Sequence, residues 1–211
     1  MVRISFFIKL PAVILLGLFF GCEGERPQAG EPVRVDTTLW RDGDLLFRMG
    51  LEGASRVVTT VGGGDFSHVG MTLKKNGRWM VVHAVPNEAP PGETDRIKCE
   101  PLDSFFAPQR ACRGAWRRVD CSDSVAARVA LAAYGKYEKG VSFDHDYDLW
   151  DTTSFYCTEL VWYLYRKHGI DLAEERRHQL VIPGKTSSYL FPEDLWVSNR
   201  LVPQNQKHNN P

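Results

Sequence analysis

Apolar and polar residues alternate most clearly across residues 66–85, FSHVGMTLKKNGRWMVVHAV. Two alternating segments flank Asn76 and Gly77, and this dipeptide favours a type I′ turn because both central residues of that turn need a positive φ. The pattern therefore predicts a two-stranded antiparallel hairpin. With Asn76 and Gly77 as its loop, the register places Gly70 opposite His83.

This register places two histidines on one face of the hairpin. His68, Gly70 and Thr72 share a face because side chains alternate along a strand, and cross-strand partners point to the same side. His83 is the partner of Gly70, so it lies on the His68 face as a diagonal neighbour. Gly70 has no side chain and leaves room for the two imidazoles to approach each other.

Other segments predict one further strand and several helices. The apolar run GDLLFRMG at residues 43–50 is typical of a buried strand. Helices are expected at residues 122–137, 156–169 and 172–180, the last one short and rich in acidic and basic residues. Ser122 is the expected N-cap of the first helix, and Gly169 is the expected C-cap of the second. Cys157 opens the second helix.

Together these elements predict one α+β domain. A small antiparallel sheet or half-barrel bears both histidines and packs against the helix that Cys157 opens. The chain of 211 residues is 43% hydrophobic, which is ordinary for a globular domain with one core. Lys plus Arg equals Asp plus Glu at 26 each, so no global basic field is present to attract nucleic acid. We expect no nucleic acid partner.

The N-terminal residues have the pattern of a secretory signal. Arg3 and Lys9 are followed by an apolar run at residues 10–20 that is too short to span a bilayer comfortably. Gly21 and Cys22 come next and resemble a bacterial lipobox, in which the signal is removed and the cysteine is lipidated. Ordinary signal cleavage and an uncleaved anchor are the alternatives.

The expectation is therefore an exported lipoprotein of the bacterial cell envelope, anchored to a membrane on its periplasmic or outer-membrane face. Phe19 departs from the usual lipobox, which carries Leu at that position. The expected organisation is a signal peptide at 1–21, a lipidated Cys22 with a flexible tether at 22–35, a folded catalytic domain at 36–203 and a polar tail at 204–211.

Four cysteines follow Cys22, namely Cys99, Cys112, Cys121 and Cys157. In an oxidising envelope two of the first three can pair, although the sequence does not determine which two. The chain contains no CxxC motif, so we expect no structural zinc site. We expect no other metal and no cofactor.

Cys157 and His68 are the candidate nucleophile and general base. A helix N-terminus and a nearby imidazolium lower the pKa of a thiol from about 8.5 and favour the reactive thiolate. A general base commonly needs a third group that orients its ring, and His83 lies on the correct face for this. The alternatives are a buried, inert thiol at Cys157 and a strand-end histidine bonded to backbone at His68.

Four segments occur in the order typical of one known family: GDLLF, SHVGM, VVHAV and YCTELVW. They resemble the permuted papain-like enzymes of the YaeF and YiiX type, relatives of NlpC-type cell-wall peptidases and of lecithin:retinol acyltransferase. GVSFD and FPEDLWVS extend the resemblance over most of residues 43–200. His68 precedes Cys157 by 89 residues, which is the permuted order.

The resemblance implies a role for each candidate residue. Cys157 would be the nucleophile, His68 the general base and His83 the orienting third residue. Many permuted relatives carry Glu at the third position, so His83 is a departure toward the NlpC-type pattern. The backbone N–H of Cys157 would contribute to the oxyanion hole.

The implied function is a cysteine hydrolase of the cell envelope that cleaves an amide bond through an acyl-thioester intermediate. Its expected substrate is a peptidoglycan-type peptide or a lipid or N-acyl compound, and its lipid anchor would contact the membrane. One alternative is an acyltransferase or lipid hydrolase that uses the same thioester. The other is a binding module in which Cys157 only contributes to packing.

The remaining polar candidates receive structural interpretations. Glu159 is expected to complement the helix dipole in the first turn. An acidic loop precedes that helix and is interpreted as solvated, or as a site for a substrate amine or cation; it contains Asp144, Asp146, Asp148 and Asp151. The histidines interpreted as surface residues without a partner are His145, His168 and His178.

Overall fold

The structure, a computed structural model, describes residues 32–182 and 185–203. Its main sheet consists of five antiparallel strands: β1 (Leu45–Gly50), β2 (His68–Lys75), β3 (Arg78–Ala84), β4 (Ile97–Pro101) and β5 (Ala111–Arg117). Their order across the sheet is β4-β3-β2-β1-β5. A separate antiparallel pair is formed by β6 (His178–Ile182) and β7 (Lys185–Tyr189).

The helices are α1 (Gly53–Gly62), α2 (Leu102–Phe105), α3 (Asp123–Glu138), α4 (Cys157–Arg166) and α5 (Pro192–Trp196). This architecture confirms the predicted α+β class and the packing of an antiparallel sheet against the helix headed by Cys157. Every helix in residues 32–182 and 185–203 is too short or too polar to span a bilayer.

Both faces of the main sheet are covered by apolar side chains. Helices α3 and α4 pack on one face, where Phe47 and Met71 are buried among their side chains. Alternate residues such as Leu46 and Val81 point to the other face and pack against Phe105 of α2. Because each strand buries apolar residues on both sides, a slip by one residue would misplace both sets.

The hairpin of β2 and β3 has the predicted register. Leu73 pairs with Met80 and Lys75 pairs with Arg78. Asn76 has a φ of 50° and Gly77 a φ of 76°, as a type I′ turn requires. The turn prediction is confirmed, and the same register continues toward Gly70 and His83.

The predictions for the first two helices hold at the start of α3 and at the end of α4. Ser122 caps α3, and its Oγ accepts a hydrogen bond from the Val125 N–H at 3.4 Å. Helix α4 runs to Arg166, with Lys167 as the flanking residue, and Gly169 closes its C-terminus as predicted. Gly169 has a φ of 78°, its N–H donates to the Arg166 carbonyl at 3.0 Å, and the Ile170 N–H donates to the Tyr165 carbonyl at 3.1 Å, which is the Schellman pattern.

The helix expected at residues 172–180 is not formed. Glu174 and Glu175 have φ values of 47° and 68°, in the left-handed region, which interrupts any helix. Tertiary contacts hold the segment instead, because His178 Nε2 lies 2.9 Å from Asp194 Oδ1 and Arg176 Nε donates to the Asp194 carbonyl at 3.1 Å. β6 begins at His178, at the end of this irregular segment.

The expected signal peptide, Cys22 and the polar tail from residue 204 lie outside the described residues. Of the expected tether, Val33 and Val35 pack against the apolar cluster around Trp40. Close packing of the chain therefore begins ahead of residue 36.

Two glycine substitutions test the turn that sets the hairpin register. Gly77→Ala should lower the free energy of unfolding by about 1–2 kcal/mol, because an Ala must then occupy the left-handed region. Gly135→Ala is the matched control, since it lies in α3 where an added Cβ meets no atom within 4 Å. It should raise the free energy of unfolding by about 0.5–1 kcal/mol. Urea unfolding measures both changes, and changes of the same sign would contradict the assigned turn.

Candidate active site

Cys157 is the first residue of α4, and the segment before the helix fixes its position. Tyr156 is the N-cap, and its backbone N–H donates to Glu159 Oε2 at 3.3 Å, which closes the first turn. Asp144 N–H donates to the Phe155 carbonyl at 3.1 Å and ties the preceding loop to the helix start. The thiol therefore lies at the positive end of the helix dipole, beside backbone N–H groups that have no partner within the helix.

The hairpin brings the two predicted histidines together. His68 Nε2 lies 2.8 Å from His83 Nδ1, a hydrogen-bonding distance, and the ring centroids are 5.0 Å apart. Their side chains are 7% and 0% exposed, so water does not compete for this bond. Both rings pack against Phe105 of α2. The predicted diagonal contact between His68 and His83 is present.

Gly70 permits this contact because it lies between the two histidines on the same face. A Cβ at Gly70 would come within 2.5 Å of Val81 Cγ1 and 3.2 Å of His83 Cβ. Any side chain there would displace β3 or His83. Glycine is thus required at this position because Val81 and His83 lie too close to leave room for a Cβ, and not because of its backbone angles.

His68 and Cys157 line the same cavity, of about 160 Å³, with Tyr147 and Tyr156 in its wall. The Cys157 sulfur lies 3.5 Å from Thr158 Oγ1 and accepts from the backbone N–H of Val69, the residue after His68. In the described part of the chain, the sulfur and His68 share the cavity without a direct hydrogen bond. Such contacts commonly shorten only when substrate binds.

Burial determines the charge states of the thiol and its base. Burial raises the pKa of the Cys157 thiol above its usual value, although the Val69 and Thr158 hydrogen bonds oppose it. Burial, and next the Arg48 guanidinium, holds the pKa of His68 well below its ordinary range. At neutral pH the thiol and the imidazole are therefore both uncharged. The expectation of a lowered thiol pKa was wrong, because burial outweighs the hydrogen bonds from Thr158 and Val69 and the charge of Arg48, and because His68 is not an imidazolium.

Arg48 was not identified from the sequence, although it lies inside the predicted strand. It pairs with His68 across β1 and β2, so its side chain points to the same face. Its guanidinium donates to the Phe105 carbonyl at 2.8 Å and to Glu88 Oε1 at 3.0 Å. A buried cation is thereby held in the cavity wall beside His68.

Glu100 of β4 was also missed. Its Oε1 lies 3.1 Å from His83 Nε2, and Arg110 Nη1 donates to its two oxygens at 3.1 and 2.9 Å. Burial would raise the pKa of Glu100, but the hydrogen bonds and charges of His83 and Arg110 lower it to about 2. The His68–His83 pair thus continues into an ionised carboxylate.

Glu159 does not have the predicted role. It is only 1% exposed, and burial, reinforced by the charge of Asp144 and other nearby carboxylates, raises its pKa to about 9. It is protonated at neutral pH and does not bring a negative charge to the helix N-terminus, so the prediction was wrong. Its neutral carboxyl still accepts from the Tyr156 N–H.

The acidic loop before α4 has a structural role at Asp144. This carboxylate is buried and accepts from the backbone N–H groups of Asp146 at 2.8 Å and Asp148 at 2.6 Å. Such bonds stabilise a loop. Within residues 32–182 and 185–203, no group of three His, Cys, Asp or Glu side chains is arranged to hold a metal ion.

The other histidines have local partners, contrary to expectation. His145 lies 3.2 Å from Asp95, His178 lies 2.9 Å from Asp194, and His168 Nδ1 lies 3.0 Å from the Leu164 carbonyl. The four cysteines of the described residues are free thiols. Cys99 and Cys112 belong to β4 and β5, at opposite edges of the sheet, which separates them.

Comparisons of this chain with known proteins point to one family and one fold. The model of a family described as permuted papain-like amidase enzymes, YaeF/YiiX, C92 family, matches residues 40–204. The uncharacterized protein YiiX of Escherichia coli K12 is 26% identical over 148 residues, which cover 69% of this chain and 68% of YiiX. The crystal structure described as metalloprotein yiiX from Escherichia coli O157:H7 has a TM-score of 0.63 at 20% identity, covering 77% of this chain and 94% of that one.

The buried Glu159 predicts a pH-dependent effect on stability. Its folded pKa of about 9 exceeds the usual value of 4.5, so its contribution is fully present below pH 4.5 and is lost as the pH rises through 9. Glu159→Gln cannot ionise and keeps the acceptor for Tyr156 N–H. Its free energy of unfolding should therefore increase relative to wild type between pH 4.5 and 9, by up to about 1.4 kcal/mol per pH unit. Urea unfolding at several pH values measures this trend, and a constant difference would contradict the burial of an uncharged carboxyl.

Proposed function

The chain belongs to the permuted papain-like amidase family of the YaeF and YiiX type, and we propose that it acts in the cell envelope as a hydrolase that cleaves an amide bond through an acyl-thioester. Cysteine amidase or peptidase chemistry is common to this family. One observation carries the proposal for this chain: Cys157 and His68 border a single cavity, and His68 is within hydrogen-bonding distance of His83 behind it.

The first proposed step forms the thioester. Cys157 Sγ attacks the carbonyl carbon of the substrate while His68 takes the thiol proton. Both the thiol and the imidazole are neutral before this step. With His68 Nε2 directed at His83, Nδ1 is the nitrogen left to receive this proton. The backbone N–H of Cys157 would stabilise the negative charge that develops on the carbonyl oxygen. His83 keeps the His68 ring in position.

The second proposed step regenerates the enzyme. The C–N bond breaks as His68 returns the proton to the leaving amine, and the acyl group remains on Cys157. His68 then removes a proton from water, and the resulting hydroxide attacks the thioester carbonyl. The C–S bond breaks, the proton returns to sulfur, and a carboxylic acid leaves. These steps require no metal and no cofactor.

The proposed substrates are a peptidoglycan-type peptide or a lipid or N-acyl compound. The cavity supports this class because its wall combines apolar and aromatic surface, from Val85, Tyr147 and Tyr156, with the Arg48 guanidinium. Attachment of a lipidated Cys22 to the membrane would place this cavity in the envelope, where such substrates occur. We propose no nucleic acid partner because the basic and acidic residues balance.

Removal of the proposed nucleophile tests the reaction. Cys157→Ala should abolish turnover while the protein stays folded, because Ala is well tolerated in a helix. Cys112→Ala removes an exposed thiol from β5 and is the matched control that should keep full turnover. Mass spectrometry of products after incubation with peptidoglycan fragments, and separately with phospholipids, measures both variants. Acylated products from phospholipid would indicate acyl transfer instead of hydrolysis, and turnover by Cys157→Ala would refute the nucleophile.

Substitution of the proposed lipid attachment site tests the location. Wild type should carry lipid on Cys22 and sediment with membranes, because residues 1–22 combine a charged start, an apolar run and a Gly-Cys pair. Cys22→Ser should release the domain into the soluble fraction or block processing. Cell fractionation with mass spectrometry of the N-terminus measures this. A soluble, unmodified wild type would rule out the lipid anchor and leave the proposed chemistry untouched.

A further inference from the structure

We propose that Glu100 is a positioning residue that fixes the tautomers of both buried histidines, so that His68 presents an unprotonated Nδ1 to Cys157. The inference rests on the proposed function, because it explains how His68 becomes a base. It concerns a hydrogen-bonded series of three residues, His68, His83 and Glu100, that begins in the cavity and ends at β4.

The first link lies between Glu100 and His83. Glu100 accepts from Arg110, and Lys98 Nζ lies 3.8 Å from its Oε2, so two cations maintain the negative charge of the carboxylate. An ionised carboxylate accepts hydrogen bonds and cannot donate them. The contact of 3.1 Å between its Oε1 and His83 Nε2 therefore requires the proton on Nε2.

The second link follows from the first. Burial lowers the pKa of His83, so the neutral ring carries one proton, which Glu100 holds on Nε2. His83 Nδ1 is then an acceptor, and His68 Nε2 must donate across the 2.8 Å contact. His68 is also neutral, so its only proton lies on Nε2. Its Nδ1 retains a lone pair and can take the thiol proton.

The opposite arrangement would inactivate the base. If His83 donated from Nδ1 to His68, its Nε2 lone pair would face the Glu100 carboxylate, which is repulsive. The single proton of His68 would then occupy Nδ1, where it would block proton transfer from Cys157. The negative charge of Glu100 also favours the imidazolium that His68 becomes during the reaction.

A purely structural role is the competing explanation for Glu100. Its carboxylate neutralises Arg110 and Lys98 and joins β4 to the segment that precedes β5. Loss of those ion pairs would destabilise the protein without any change of tautomer. The experiment must therefore report the position of the protons, and it must do so without relying on turnover.

Nitrogen NMR of the full chain labelled with ¹⁵N-histidine locates these protons. In wild type, both His68 and His83 should be Nε2–H tautomers. Glu100→Gln should convert both to Nδ1–H tautomers, because Arg110 holds the amide oxygen and the NH₂ group then faces His83 Nε2. Glu88→Gln is the matched control, since Glu88 bonds to Arg48 and Lys98 in the same ionic cluster but contacts neither histidine. It should leave both tautomers unchanged.

An Nδ1–H tautomer of His68 or His83 in wild type would overturn the proposal, as would unchanged tautomers in Glu100→Gln. The wild-type spectrum alone can contradict the proposed tautomers, even if the Glu100→Gln variant fails to fold. These outcomes do not depend on any substrate. Failure of the tautomer assignment is therefore distinct from failure of the proposed hydrolase, which product analysis reports.

Reactivity of Cys157 toward iodoacetamide provides a second test. Glu100→Gln should slow alkylation by about 10²-fold or more, because general-base assistance contributes about 10² to 10⁴ in rate. His83→Glu in the same chain should restore most of the rate, since the new carboxylate accepts directly from His68 Nε2 and no longer needs Glu100. If the loss is the same with and without His83→Glu, Glu100 has only a structural role and the proposal is wrong.

Discussion

The hydrogen bond between His68 and His83 is the interaction on which the candidate active site depends, and it depends in turn on the register of one hairpin. A shift by one residue would send the two rings to opposite faces of the sheet. Apolar side chains on both faces oppose such a shift, with Met71 buried against the helices and Val81 against α2. Gly70 then supplies the space in which the rings meet. Packing that stabilises the sheet therefore also defines the geometry of the histidine pair.

Desolvation gives this site a different electrostatic character from that of an ion-pair cysteine enzyme. Burial disfavours both the thiolate and the imidazolium, and Arg48 disfavours the imidazolium further. The thiol and the imidazole are therefore both neutral, and in the proposed reaction proton transfer would accompany nucleophilic attack. Glu159 is protonated as well, so it adds no negative charge beside Cys157. In the proposed reaction the helix dipole would thus remain available to stabilise charge on the substrate oxygen.

Features that depend on local sequence could be predicted, whereas features that depend on distant pairing could not. The hairpin register follows from Asn76 and Gly77, and the start of α3 follows from Ser122, because each signal acts within a few residues. Glu100 lies after a long connection between Ala84 and Ile97 whose Pro and Gly residues mark a loop without fixing a register, so the pairing of β4 with β3 was undetermined. The interpretation of Glu159 was wrong because its position in the first turn of α4 suggested a charged residue, whereas tertiary packing buries its carboxyl. Contacts to Asp194 likewise override the helix expected around Glu175.

The permuted order places both histidines of the candidate site ahead of its cysteine in the chain. His68 and His83 are 15 residues apart and meet through a local turn, and both rings pack against Phe105 of α2. Cys157 follows 89 residues after His68 and reaches the cavity only when α4 docks on the sheet. The candidate site is therefore divided between a pair of histidines that are close in sequence and a thiol from a distant part of the chain. The docking of one helix, α4, is what brings the thiol and the imidazole to one cavity.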